Sequence, residues 1–155
     1  MSLDELSARE ILDASHAAWS RGDVSAVLDQ FVDDLTYWCN TGGPQGTPLT
    51  LRGKDQLRAF LQRAADVAES VSVSEYFRLT EGVGRAKIEC YIRHNQTGHT
   101  LVGSFRQVVT FRGRKIERID EYHDAAKMIA FWRLILGEPI AYDDPADMAE
   151  LIAVR

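Results

Sequence analysis

Two apolar rhythms divide the chain, and the change between them falls near Ser70. Before it, Ala8, Ile11, Leu12, Ser15, Ala18 and Trp19 recur at helical intervals and predict a helix from Leu3 to Arg21. Gly22 ends that helix, and Asp23 caps a second one, Val24 to about Val32, with Val27, Leu28 and Phe31 turned inward. A short strand from Leu35 to Asn40 sets Tyr37 and Cys39 on one face. The Gly and Pro residues of 41–48 predict a loop, followed by a helix of about Lys54 to Ala68 that buries Leu57, Phe60, Leu61 and Ala64.

After Ser70 apolar and polar residues alternate, which predicts strands at Val71–Thr80, Arg85–His94, His99–Arg112 and Lys115–His123. Their short, Gly-bearing links favour hairpins, hence a mainly antiparallel sheet. A last helix, about Ala125 to Leu136, clusters Met128, Ile129, Phe131, Trp132 and Ile135 so tightly that it is covered on more than one side. Helices first and antiparallel strands afterwards make an α+β fold, a single domain over residues 1–137. Residues 138–155 form a tail, with a short helix around Met148 to Ile152, suited to be a lid or a dimer strap.

Composition narrows the function classes. With 155 residues and 45% hydrophobic content the chain supports one core. A net charge of -5, with no basic run interleaved with aromatics, argues against a nucleic-acid partner. Cys39 and Cys90 form neither a disulfide framework nor a zinc signature, so reduced thiols in a cytoplasm are expected. No apolar run reaches the roughly 20 residues that span a bilayer, so no membrane association is expected. No pair among the four histidines has ligand spacing on one element, and no Gly-rich phosphate loop precedes a helix, so neither metal nor cofactor is expected.

Candidate chemistry gathers on the last strand. Strict alternation puts Glu117, Ile119, Glu121 and His123 on one face, and Ile116, Arg118, Asp120 and Tyr122 on the other. An acid and an imidazole two residues apart beside Ile119 make a wall for a reaction pocket, with a solvated sheet end as the competing reading. On strand 85–94 the same rule separates Ala86, Ile88, Cys90 and Ile92 from Lys87, Glu89, Tyr91 and Arg93. Ordinary patterning buries the first set and leaves Lys87 and Glu89 as a surface ion pair.

The order helix, Gly22-Asp23, helix, Asp33-Asp34-Leu-Thr-Tyr37, helix after Gly53, and four strands ending in Lys-Ile-Glu-Arg-Ile-Asp-Glu-Tyr-His-Asp124 resembles the SnoaL-like branch of the nuclear transport factor two-like superfamily. The resemblance implies a cone, with a strongly bent sheet wrapped over its helices around a deep apolar pocket. Ketosteroid isomerases of that superfamily place an Asp where this chain has Cys39, a Tyr at about Ser15 and a second acid in Val108–Thr110, so their chemistry is disfavoured. A paired-histidine dehydratase site finds only His94 or His99, both beside a turn. The limonene-epoxide-hydrolase type is matched better: Lys87, Glu89, Glu121 and Tyr37 stand where it has Arg, two Asp and Tyr, while Cys39 replaces its Asn.

That resemblance implies an inverted strand 85–94, with Lys87 and Glu89 facing the pocket and the apolar side lying against a second copy in a homodimer joined through the outer sheet face. The implied catalytic set is Glu121, Glu89, Lys87, Tyr37 and His123. His16, Trp19, Tyr91, Phe105 and Ile119 would line the hollow and bind substrate. Two carboxylates in a dry pocket separate into an acid and a base, with the cation between them and water held by Tyr37. The resulting expectation is a cofactor-independent acid–base enzyme on a small apolar molecule, of epoxide hydrolase, lyase or isomerase type. The alternatives are a non-catalytic small-molecule-binding module and a dimeric scaffold of the same fold.

Overall fold

A computed structural model describes residues 2–42 and 46–135, so the expected lid or strap lies outside the described residues. The Asp4 carboxylate caps α1 (Glu5–Ser20) by accepting from the Ser7 N–H at 2.7 Å. Gly22, at φ +71°, turns the chain, and Asp23 caps α2 (Val24–Asp29) through the Ala26 N–H at 3.0 Å. Each cap supplies an acceptor to an amide that a helix start leaves without one. After β1 (Phe31–Cys39) and the short β2 (Leu49–Arg52) comes α3 (Gly53–Ala65). Four long strands follow, β3 (Ala68–Thr80), β4 (Val83–His94), β5 (Thr100–Arg112) and β6 (Lys115–Tyr122), and then α4 (Ala125–Ile135).

The strands make one sheet in the order β2-β1-β6-β5-β4-β3. Only the β1–β6 pair is parallel; the remaining pairs are antiparallel. The helices lie on the concave side, where Leu12, Leu28 and Leu57 meet Leu35, Ile88, Val109, Ile116 and Ile119 of the sheet. This is the expected α+β cone. Parallel pairing aligns Cys39 with Glu121 and Tyr37 with Ile119, so the end of β1 and the end of β6 open into the same hollow.

Two bulges decide which side chains look inward. On β3 the register shifts between Ser74 and Tyr76, so Ser72 and Ser74 are buried before the bulge and Phe77 after it. Opposite β6 the register shifts between Thr110 and Phe111, leaving Glu117 as an extra residue between Ile116 and Arg118. An extra residue reverses the alternation beyond it. Ile116 and Ile119 are therefore both buried, and Glu117 pairs with Arg112 in solvent instead of sharing a face with Ile119 and Glu121.

The orientation of β4 corrects a second expectation. Ala86 and Ile88 are buried in the core and Cys90 and Ile92 line the hollow, while Lys87 and Glu89 lie on the convex side. There Lys87 is ion-paired with Glu75 and, at 3.0 Å, with Glu89. Turning the strand over would desolvate an ammonium and a carboxylate at several kcal/mol per ion. It would also forfeit roughly 2 kcal/mol for each isoleucine returned to water. Both effects favour the ordinary patterning, and the inverted reading fails on them.

Candidate active site

The hollow under the sheet is a cavity of about 130 Å³ between α1, α3, α4 and the inner sheet face. Its polar side is built around Glu121. One carboxylate oxygen accepts from the Tyr37 hydroxyl at 2.7 Å and from His123 Nε2 at 2.8 Å. The other accepts from Gln107 Nε2 at 2.8 Å. The Gln107 carbonyl oxygen in turn lies 2.9 Å from His16 Nε2, on the facing helix α1. With the amide oriented this way, His16 carries its proton on Nε2 and donates it to Gln107.

The electrostatics follow from burial set against hydrogen bonding. Burial alone would raise the Glu121 carboxyl, but the His123 hydrogen bond and charge, followed by the Tyr37 and Gln107 hydrogen bonds, outweigh it and hold it below its ordinary value. Glu121 is therefore ionised at neutral pH. Burial, reinforced by the Glu121 charge, pushes the Tyr37 hydroxyl well above its usual range. The same two causes push the Cys39 thiol up to about 12. Burial lowers His16 against the opposing pull of Gln107 and Glu121, which keeps the ring neutral.

His123 is fixed on three sides. Nε2 is tied to Glu121, the ring stacks on Phe105 with centroids 4.2 Å apart, and the backbone is held by the Asn40 side chain. Its Nδ1 has no hydrogen-bond partner among the described residues. A carboxylate that takes one ring N–H leaves the other nitrogen as the proton acceptor, the arrangement of a general base. Glu121 itself, with three donors already on it, is placed to orient the ring.

Of the residues expected at the site, Glu121, Tyr37, His123, His16, Trp19, Phe105 and Ile119 line the cavity together. Lys87 and Glu89 do not, for the reason given above. Tyr91 is 39% exposed on the convex face, opposite Val71 and Val102, and does not bind anything in the hollow. Gln107 and Asn40 are the site residues that the sequence reading missed. The signal for Gln107 was a polar residue at an apolar-face position between Phe105 and Val109. The donor atoms of Cys39, Glu121 and His123 lie within 4.8 Å of one another, so these three could hold a metal ion, once the thiol gave up its proton.

Comparison with known proteins places the fold. No curated protein matches the chain. Among solved structures, an NTF2-like protein of unknown function from Burkholderia pseudomallei superposes with a TM-score of 0.71 at 20% identity, over 81% of this chain and 97% of that one. An NTF2-like protein from Burkholderia xenovorans gives 0.65 at 22% identity, over 82% of this chain and 96% of that one. An LEH-like epoxide hydrolase from M. tuberculosis gives 0.67 at 15% identity, over 86% and 94%. Likeness at these identities speaks for the fold alone. The SnoaL-like domain signature matches residues 12–119, well over half of the sequence, and the chain belongs to the SnoaL-like domain family.

Proposed function

We propose that this SnoaL-like protein is a cofactor-independent acid–base enzyme in which His123 moves a proton on a small, mostly apolar molecule. The observation that supports it best is the Glu121–His123 pair at 2.8 Å, buried at the end of an apolar cavity, with no described residue hydrogen-bonded to Nδ1. Glu121 orients the ring and stabilises the imidazolium that forms when Nδ1 takes a proton. Tyr37 and Gln107 hold Glu121, while Phe105, Ile119 and Trp19 exclude water and bind the apolar body of the substrate.

The geometry favours lyase or isomerase chemistry over epoxide opening of the limonene-epoxide-hydrolase type. That reaction needs two carboxylates bridged by a cation, and Glu121 is the only carboxylate of a described residue lining the cavity. One oriented imidazole suffices to remove a proton next to a carbonyl. A homodimer formed through the convex sheet face fits the same structure, because Val71, Tyr91 and Val102 align across β3, β4 and β5 and are all exposed.

The test is proton exchange. Small ketones and hydroxy-ketones, some of them bearing amines, are incubated with the protein in deuterated water and followed by NMR. The protein should speed deuterium incorporation next to the carbonyl, and His123→Ala should lose roughly 100-fold or more of that rate. A genuine substrate turned over equally by wild type and His123→Ala removes the proposed base.

A further inference from the structure

The cavity holds a carboxylate at its polar end. Glu121 accepts three hydrogen bonds, the acceptor-only pattern of an ionised carboxylate, and neither a lysine nor an arginine of the described residues lines the hollow. Its partners are the hydroxyl of Tyr37, the amide of Gln107 and the imidazole of His123. The rings of Trp19, Phe31, Tyr37, Phe60 and Phe105 line the same cavity. Aromatic faces carry the negative end of a quadrupole, and they attract a cation most strongly where water is excluded.

The distribution of protons points the same way. Tyr37 directs its O–H and His123 its Nε2–H at Glu121, and His16 directs its Nε2–H at Gln107. What the two imidazoles keep for a ligand is acceptor capacity at Nδ1, to which no described residue hydrogen-bonds. An anionic ligand would meet Glu121 in a low dielectric with no lysine or arginine of the described residues lining the cavity to offset the repulsion. A neutral hydrocarbon would fill the space and leave the carboxylate as it was.

We infer that the pocket takes a small organic cation, a protonated amine or a quaternary ammonium, seated against the aromatic rings beside Glu121. This rests on the reading of the cavity as a substrate site and names the chemical class of that substrate. The positive group is attracted to Glu121, and the apolar remainder lies along Phe105 and Ile119 within reach of His123.

Three probes of one shape and different charge decide it: choline, 3,3-dimethylbutan-1-ol and 3,3-dimethylbutanoate, titrated calorimetrically with a chelator present so that no metal ion competes for Glu121. Choline should bind roughly tenfold or more tighter than the alcohol, with the carboxylate weakest. Glu121→Gln, its fold checked by circular dichroism, should erase the preference. Equal affinity for choline and the alcohol in the wild type, tighter binding of the carboxylate, or no choline binding overturns the inference, whether or not the variant folds. A protein that prefers choline yet exchanges no proton keeps this inference and loses the acid–base reading. Exchange without charge preference does the reverse.

Discussion

Asn40 and His123 clasp one another across the β1–β6 junction: the Asn40 side-chain oxygen accepts from the His123 N–H at 2.9 Å, and its amide donates to the His123 carbonyl at 3.1 Å. His123 lies just beyond the last residue of β6, where the sheet no longer holds the backbone. The clasp substitutes for the missing ladder and sets the angle at which the ring meets Glu121.

Asn40→Ala should therefore loosen the base without emptying the cavity. Each lost hydrogen bond removes about 1 kcal/mol of stability, so a fall of several degrees in Tm is expected. Proton exchange should fall by roughly tenfold or more, through the rate constant rather than substrate affinity, because a ring displaced by about 1 Å misses its proton. Separate measurement of kcat and KM checks this. An unchanged kcat would mean that the stacking on Phe105 alone positions His123.

Gln107 links His16 to the Glu121 oxygen that Tyr37 and His123 leave free. Gln107→Leu strips His16 Nε2 and one Glu121 oxygen of their bonds while keeping the side-chain bulk. Leaving two buried polar atoms unsatisfied costs about 1–3 kcal/mol each, so urea denaturation should report a loss well beyond that of a surface substitution. With one donor gone, the Glu121 carboxyl should also rise, visible as a shift in its carboxyl carbon resonance with pH. A stability change within about 0.5 kcal/mol would show that water replaces the amide.

Lys87 and Glu89 mark where sequence reasoning reached its limit. Alternation on β4 correctly separated the two faces, and the rule that apolar residues go inward chose the right one. The resemblance to an epoxide hydrolase site argued for the other, because it matched residue types at positions without weighing ion desolvation. Glu121 and His123 were legible from their spacing and from Ile119 beside them. Glu117 was not, since a bulge is a tertiary event: one unpaired residue opposite Thr110 and Phe111 leaves no trace in the alternation of β6. β2, at four residues, is too short to show a period, and the clasp between Asn40 and His123 joins residues that only the parallel pairing brings together. A clean consequence is that Lys87→Ala should leave proton exchange unchanged and lower stability only slightly, as loss of a surface pair does. A large loss of turnover with normal stability would put Lys87 back at the site.

Acid should destabilise the protein through His16 and Glu121 together. The folded state holds His16 below its ordinary 6.5, so below that pH the unfolded chain binds the proton more readily and stability falls as pH drops toward the folded value. Glu121 is also held below its ordinary 4.5, so its contribution is complete above that pH and is lost as pH falls through the folded value. Two successive declines are expected in denaturation measured across pH. His16→Gln should remove the first and keep the second. A profile flat from neutrality down to the carboxylate range would contradict the neutral, buried His16.

The convex face supplies the last expectation. Val71, Tyr91 and Val102 form one row across three strands, and Tyr76, Lys87, Arg106 and Tyr122 form another, aligned by register on the same side. Val102 is 59% exposed and Val73 58%. An apolar row of this kind is a natural surface for self-association, and facing copies would bury the valines while their charged neighbours ring the contact. Light scattering behind size exclusion should show a dimer, and Val102→Glu should yield monomers by placing like charges opposite one another across a two-fold axis. Because the substitution lies on the opposite side of the sheet from Glu121, the choline affinity of the monomer measures whether the cavity needs the second copy at all. A wild type that is monomeric at every concentration would leave the row to some other partner.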